Sequence, residues 1–140
     1  MFERILVAVD GSPFSDAAIA TAAGLAAKLG SEVDVVHVHE HDLPHSKAVH
    51  LAELETHTEA NEVIAAATAK LTGQGVRAQG HVLEADTHDV AKRILEFAEE
   101  SNAGVIVVGR RGLSTLTGML VGSVSNKLMH VSKVPVLVAH

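Results

Sequence analysis

The feature that most constrains the fold is a series of continuous apolar runs separated by helical segments. The clearest runs are 5–9 and 105–108, which are rich in valine and isoleucine and end at Asp10-Gly-Ser-Pro13 and at Gly109. Continuous runs of β-branched residues, closed by turn residues, are typical of strands buried on both faces. Strands that alternate with helices form right-handed crossovers, so we predict an α/β domain with a mostly parallel sheet.

Three more strands and four helices complete the predicted pattern. The strands are predicted at 33–38, 76–83 and 134–139, and the helices at 13–29, 47–72, 87–101 and from 123 onward. Ser12 is expected to cap the first helix, and Gly30 to end it in a left-handed conformation. A polar loop is predicted at 39–46. The chain has 140 residues and no cysteine, which fits a single domain over 1–140 without disulfides.

Composition excludes several classes of function. The formal net charge is −6, and the aromatic residues are three phenylalanines with no tryptophan or tyrosine. An acidic chain with so few rings is a poor match for duplex binding or for base stacking on nucleic acid. No uncharged apolar run reaches the ~18 residues of a membrane span, and the N-terminus does not resemble a signal peptide. We therefore expect a cytoplasmic protein that is not bound to a membrane.

A glycine-rich stretch after the fourth strand predicts the ligand site. Gly109-x-x-Gly112 is followed, nine residues later, by Gly122-Ser123 at a helix start. Glycines let backbone amides approach phosphate oxygens, and a helix N-terminus adds unsatisfied amides. Residues 101–140 contain four basic side chains and no acidic one. This arrangement favours an anion site, although glycines that serve only turns would give the same pattern.

Asp10 lies at the end of the first strand, beside the predicted central pair formed by strands 1 and 4. Ligands of open α/β sheets bind beyond the carboxyl ends of the strands. Asp10 is therefore a candidate acceptor for a ribose hydroxyl, or for a water on a phosphate-bound Mg²⁺. The alternative is that its carboxylate bonds the backbone of its own Asp-Gly-Ser turn.

Ten histidines are unusual in a chain of this length, and four of them cluster at 37–45. In an extended chain His37, His39 and His41 share one face, and such a set can chelate Zn²⁺ or Ni²⁺. The alternative is that His37 is a strand residue of the core and that His39, His41 and His45 lie on the surface. We favour the alternative, and expect no metal site made by the protein alone.

The order of motifs resembles that of the universal stress protein family across essentially the whole chain. The matching segments are Ile-Leu-Val-Ala-Val-Asp at 5–10, Val-His-Val at 36–38, Val-Val-Gly-Arg-Arg-Gly at 107–112, Gly-Ser-Val-Ser at 122–125 and Val-Pro-Val-Leu-Val at 134–138. Gly-x2-Gly-x9-Gly-Ser resembles the motif of the family's ATP-binding branch. The resemblance implies a three-layer, adenine-nucleotide-hydrolase-like Rossmann-type fold with four helices and five parallel strands in the order 3-2-1-4-5.

The resemblance also implies that the chain binds ATP or AMP, and it assigns a role to each matching residue. Asp10 would bond the ribose, and the Val38 backbone would meet the adenine edge. Arg111 would face the phosphates. The implied contacts are Ala8 and Asp10 at the nucleoside, Val38 at the base, Val108 and Gly109 packed on the nucleoside, and Arg111, Gly112, Gly122, Ser123, Val124 and Ser125 at the phosphates. A homodimer through the last strand, 134–139, is implied as well.

Catalytic motifs are not evident. The sequence has no Gly-x-Ser-x-Gly nucleophile elbow and no helical His-x-x-x-His pair, and Asp10 is the only acidic candidate at the predicted site. We therefore favour a nucleotide-dependent sensor or regulator of a stress response over an enzyme. Two alternatives stay open: a slow Mg²⁺-dependent ATP hydrolase, and a nucleotide-free dimeric interaction protein.

Overall fold

The computed structural model describes residues 1–41, 55–110 and 123–140. Five parallel strands form one sheet in the order β3-β2-β1-β4-β5, which confirms the predicted topology. The elements in chain order are β1 (Arg4–Ala8), α1 (Phe14–Leu29), β2 (Glu32–His41), α2 (His57–Thr72), β3 (Ala78–Asp86), a short 3-10 helix (Thr87–Asp89), α3 (Val90–Glu100), β4 (Val105–Gly109), α4 (Ser123–Val131) and β5 (Val136–Ala139).

Strand β1 lies at the centre of the sheet, between β2 and β4, as its continuous apolar run predicts. Ile5 and Val7 pack on one side against α1 and α2, while Leu6 packs on the other side with α3 and α4. All three side chains have no exposed surface. A strand covered on both faces needs apolar residues at successive positions, so its alternation disappears.

Helix α1 lies close to the sheet because alanines line its buried face: Ala18, Ala22, Ala23 and Ala26. Its C-terminal cap is Gly30, with φ at 70°, whose amide donates to the Ala26 carbonyl, as predicted. The predicted Ser12 cap is wrong. Pro13 is the N-cap residue, and the Ser12 hydroxyl instead donates to Asp10 Oδ1 at 2.6 Å.

Strand β2 is longer than predicted and absorbs the first part of the predicted polar loop. Residues 39–41 continue to pair with β3, ending at the pair His41 and Asp86. Edge pairing with β3 therefore outweighs the polar character of this segment.

Helix α2 begins later than predicted. Residues 55 and 56 are not helical, and the part of the predicted helix at 47–54 lies outside the described residues. A capping box sets the start: Thr56 Oγ1 accepts from the Glu59 amide, and the Thr56 amide donates to the Glu59 carboxylate.

One buried carboxylate interrupts the apolar pattern of β2. Asp34 is 1% exposed, and its Oδ2 accepts from Nε and Nη2 of Arg4 at 3.0 and 2.7 Å. His81 Nε2 lies 3.0 Å from Asp34 Oδ1. The carboxylate is therefore compensated from both neighbouring strands, β1 and β3.

Among the described helices, none has both the length and the apolar composition that crossing a bilayer requires.

Candidate functional site

A cavity of about 440 Å³ opens at the carboxyl ends of the central strands. This is the edge at which ligands of open α/β sheets bind. Strands β1, β2 and β4 contribute to it, together with the starts of α1, α3 and α4 and the short 3-10 helix. Its lining residues are Ala8, Val9, Asp10, Ser15, Val36, His37, Val38, Glu40, Thr87, His88, Val90, Ile94, Val108, Gly109, Ser123, Val124 and Ser125.

The lining is divided between an apolar part and a polar part. Val36 and Val38 of β2, Val108 of β4 and Ile94 of α3 are buried and supply the apolar wall. Gly109 of β4 and the first residues of α4 supply the polar part. A mostly apolar cavity with a few convergent polar groups is the usual form of a small-molecule site.

Asp10 is held rigidly at the end of β1. Its Oδ1 accepts three hydrogen bonds, from the Ser12 amide at 2.9 Å, the Ser12 hydroxyl at 2.6 Å and the Ser15 hydroxyl at 2.8 Å. Gly11 turns the chain with φ at 82°, a conformation that favours glycine. The alternative in which Asp10 bonds its own turn is therefore confirmed for Oδ1, and the same contacts fix where the carboxylate lies.

Helix α4 starts at the cavity, and a side-chain bond anchors it to the sheet. The buried Ser125 hydroxyl donates to the Gly109 carbonyl at 2.8 Å. This bond ties the first turn of α4 to the end of β4. Ser123 and Val124 precede it and are more accessible, so the N-terminus of the helix faces the cavity next to Gly109.

His37 and Glu40 bring titratable groups to the cavity wall. The His37 ring is buried, with Nδ1 at 2.8 Å from the Val9 carbonyl and Nε2 at 2.8 Å from both oxygens of Glu55. Burial raises the pKa of the Glu40 carboxyl above its usual range. The Glu55 carboxylate raises this pKa further, and His37 offsets part of the increase.

The structure brings most of the predicted site residues together. Ala8, Asp10, Val38, Val108, Gly109, Ser123, Val124 and Ser125 all line the one cavity. Arg111, Gly112 and Gly122 lie outside the described residues. The hydroxyl of Ser125 is used for a structural bond to Gly109, which is a role that the motif does not indicate.

Apart from Val38, sequence reasoning missed the part of the wall that comes from β2 and from α3 with its preceding turn. His37 was interpreted as a core residue of a strand, and it is buried as predicted, but it also lines the cavity. Glu40 lay in the predicted loop, and Thr87 and His88 in the predicted third helix. Val90 and Ile94 could have been assigned to the wall from the sequence, because both were predicted on the inward face of that helix. In the structure this face of α3 packs beside β2.

With the fold and cavity established, comparison with known proteins identifies the family. The family model described as "Universal stress protein family" matches residues 1–140. The chain is 32% identical to the universal stress protein YxiE of Bacillus subtilis, over 99% of each chain. It belongs to the universal stress protein family.

Solved structures show the same fold. A universal stress protein family member from Burkholderia pseudomallei matches with a TM-score of 0.75 at 30% identity, covering 98% of this chain and 95% of that one. A universal stress protein in complex with cAMP matches with a TM-score of 0.76 at 23% identity, covering 99% of this chain and 97% of that one. One from Archaeoglobus fulgidus in complex with dAMP matches at 0.72 and 24%, covering 99% and 98%. These last two proteins bind nucleotides, and their likeness to this chain is one of fold.

Proposed function

We propose that this chain binds an adenine nucleotide, ATP or AMP, in the cavity at the ends of β1 and β4, and that it acts as a nucleotide-dependent sensor or regulator in a stress response. One observation carries the proposal: the N-terminus of α4 opens on the same cavity as the carboxyl ends of the two central strands. A base and a phosphate can therefore be held by one continuous wall. The family and its nucleotide-bound structures support the choice of ligand.

The base is proposed to occupy the apolar part of the cavity. Val38 and Val108 stand on strands on either side of β1, and Ile94 of α3 closes the wall between them. A volume of about 440 Å³ lies within the ~300–1,000 Å³ of typical small-molecule pockets. In this proposal the backbone of Val38 meets the adenine edge, and Asp10, fixed by Ser12 and Ser15, accepts from a ribose hydroxyl.

The phosphates are proposed to lie against the start of α4. Helix N-termini stabilise anions through unsatisfied amides and the helix dipole. No acidic residue occurs in 101–140, so no carboxylate of this segment repels the phosphate. Arg111, Gly112 and Gly122 lie outside the described residues, and their proposed phosphate contacts rest on the Gly-x2-Gly-x9-Gly-Ser motif.

Nucleotide content is the first measurement. Protein denatured directly after purification should release ATP or AMP, detected by mass spectrometry, and added ATP–Mg²⁺ should raise its unfolding temperature. Failure of both would favour a nucleotide-free interaction protein. Sustained turnover of ATP that Asp10→Asn abolishes would instead favour the slow hydrolase. A sensor should bind ATP without sustained turnover.

Ser123→Asp tests the phosphate end of the cavity. An acidic residue in a first helical turn is favourable for the helix, but it repels a phosphate at the same place. We expect ATP affinity to fall about tenfold or more, which corresponds to about 1.4 kcal/mol. Isothermal titration calorimetry measures the effect.

Ser123→Asn is the matched control, because asparagine has nearly the shape of aspartate and no charge. It should bind ATP within about threefold of the wild type, a difference under 1 kcal/mol. Equal affinity in the aspartate and asparagine variants would contradict the placement of the phosphates at α4.

We also propose a homodimer formed by antiparallel pairing of β5. This strand lies at the edge of the sheet, and Val136, Leu137 and Val138 are only partly buried in the single chain. Exposed apolar edge strands pair readily with other strands. Val138→Pro removes an amide that faces away from β4 and should give a monomer by light scattering, whereas Val138→Ala should stay dimeric. A dimer in the proline variant would place the interface elsewhere.

A further inference from the structure

Two histidines and a glutamate from three different elements converge beside β2. His39 of β2, His57 at the start of α2 and Glu84 of β3 each present a ligand atom, and these atoms lie within 4.8 Å of one another. Sequence spacing does not indicate this set, because the two histidines are 18 positions apart and Glu84 is 27 positions after His57.

His39 is fixed with one bare nitrogen. Its Nε2 lies 2.7 Å from the backbone carbonyl of Glu55, and since a carbonyl only accepts, Nε2 carries the hydrogen. In the neutral ring Nδ1 therefore keeps a lone pair. This Nδ1 is buried and has no hydrogen-bond partner in the described part of the chain, and the residue is 6% exposed. Histidines that bind metals usually donate their other N–H to a carbonyl or carboxylate, as His39 does.

His57 is placed next to His39 by the start of α2. The capping box between Thr56 and Glu59 makes His57 the first helical residue. Its ring stacks on that of His39, with centroids 4.3 Å apart and planes inclined by 23°. The His57 side chain is 69% exposed, so it is free to turn its nitrogen toward a shared ion.

Glu84 supplies the negative charge. It is the register partner of His39 in the parallel pair β2–β3, so both side chains point to the same face of the sheet. Its Oε1 lies 3.7 Å from His57 Nδ1, and its Oε2 lies 3.5 Å from His41 Nε2. His41 therefore stands where it can orient the carboxylate or provide a fourth ligand.

We propose that His39, His57 and Glu84 bind a divalent transition-metal ion, of which Zn²⁺ is the best match. Two imidazoles and one carboxylate form a donor set that zinc uses with open positions left for water. Imidazole ligands favour zinc, copper and nickel over magnesium and calcium. The unpartnered Nδ1 of His39 is the observation that points to a ligand, because a buried ring nitrogen otherwise loses its hydrogen bond to water.

The positions need only a small adjustment to hold the ion. Zinc ligands at about 2.0–2.1 Å from the metal lie about 3.3 Å from one another in a tetrahedral site. Reducing separations of up to 4.8 Å to that value requires the exposed His57 and Glu84 to move while His39 stays fixed. The N-terminal dipole of α2 opposes a cation, and the carboxylates of Glu55, Glu59 and Glu84 around it act in the opposite direction.

The proposed metal site is separate from the nucleotide cavity. Val38 and Glu40 point to the side of the sheet covered by α3 and line the cavity, whereas His39 and His41 point to the side covered by α2. Metal binding can therefore be measured without nucleotide, whose phosphates would themselves bind zinc. The result does not depend on whether the chain binds ATP.

Titration of the tag-free, EDTA-treated and dialysed full chain with Zn²⁺ alone tests the site. A chromogenic chelator in competition reports the affinity, and Co²⁺ as a substitute reports coordination through its visible absorption. We expect one Zn²⁺ per chain to bind tightly enough to be measured at micromolar protein. His57→Ala and Glu84→Gln, both at exposed positions, should each weaken binding at least tenfold.

Two matched controls complete the experiment. His130→Ala changes an exposed histidine on α4, and Glu96→Gln changes an exposed carboxylate on α3. Both should bind Zn²⁺ within twofold of the wild type and give the same Co²⁺ spectrum. The proposal is overturned if His57→Ala and Glu84→Gln bind like the wild type. It is equally overturned if the controls weaken binding as much, since scattered surface histidines would then hold the metal.

Discussion

The two faces of β2 carry different chemistry at the same end of the sheet. On the face covered by α3, Val36 and Val38 form an apolar wall and Glu40 ends it at the cavity. On the face covered by α2, His37 and His39 are buried and His41 lies at the surface beside Glu84. In our proposals the first face holds the base and the second face holds a cation.

The difference follows from the geometry of a strand. Successive side chains point to opposite faces, so residues one position apart enter different environments. A single strand can therefore contribute to two sites without any residue serving both. His37 lines the cavity although its side chain stands on the α2 face, where its ring contacts the Val9 carbonyl.

Position along one face also matters, as His37 and His39 show. Both nitrogens of His37 face acceptor oxygens, from Val9 and Glu55. His39 has one such acceptor and one bare nitrogen. His37 therefore links the end of β1 to Glu55 through its two contacts, whereas His39 keeps a nitrogen that can bind a ligand.

The largest expected effect is on the α3 face, at the start of β2. Arg4→Met removes the guanidinium that holds Asp34, and leaves a buried carboxylate with only His81. Breaking a buried pair in this way costs about 3–5 kcal/mol of unfolding free energy. Urea denaturation measures the loss.

Arg77→Met is the control for that comparison. Arg77 is largely exposed and pairs with Glu32 at 3.2 Å, so its removal should cost less than about 1 kcal/mol. Similar losses of unfolding free energy in the two variants would mean that the Arg4 guanidinium does not stabilise the buried Asp34 carboxylate.

An intermediate effect is expected on the α2 face. His37→Gln offers one amide nitrogen where the ring has two, so the buried Val9 carbonyl or the Glu55 carboxylate loses its partner, which should cost about 1–3 kcal/mol. His39→Gln should cost less, because an amide can still donate to the single carbonyl that His39 bonds. Urea denaturation of both variants makes the test. A larger loss at His39 would reverse our assignment of roles to the two histidines.

The smallest expected effect concerns Glu40. Its pKa is raised, so the folded chain holds the proton more tightly than the unfolded chain, and stability falls as the pH rises through the window from the ordinary carboxyl pKa to the raised one. Glu40→Gln should therefore be more stable than the wild type above that window, by a few tenths of a kcal/mol for a partly exposed group. Below the window the gain should vanish.

Glu96→Gln is the matched control for the pH dependence, because its carboxylate is exposed on α3. In thermal unfolding, the stability difference between Glu96→Gln and the wild type should be about the same at pH 4 and at pH 7. A gain in Glu40→Gln that is the same at both pH values would show that charge is not its cause.

The element pattern could be predicted because each strand and helix carries its own local signal. The apolar run at β1, the glycine that ends α1 and the serine at the start of α4 are visible in the chain, and all three lie where predicted. The errors at β2 and α2 arose where pairing or capping decided the boundary. The Thr56-x-x-Glu59 capping box was a readable signal for the start of α2, and it would have separated that helix from the segment before it.

The sequence by itself determined which residues meet at the ends of β1 and β4. Strand ends of a parallel sheet gather at one edge, so Asp10, Gly109 and Ser123 follow from element order alone. Only the tertiary structure decided the set formed by His39, His57 and Glu84. That set depends on the register of β2 against β3 and on where α2 begins, and no periodic pattern in the sequence indicates either one. Local propensity fixes elements, whereas the contacts between distant elements depend on how those elements pack.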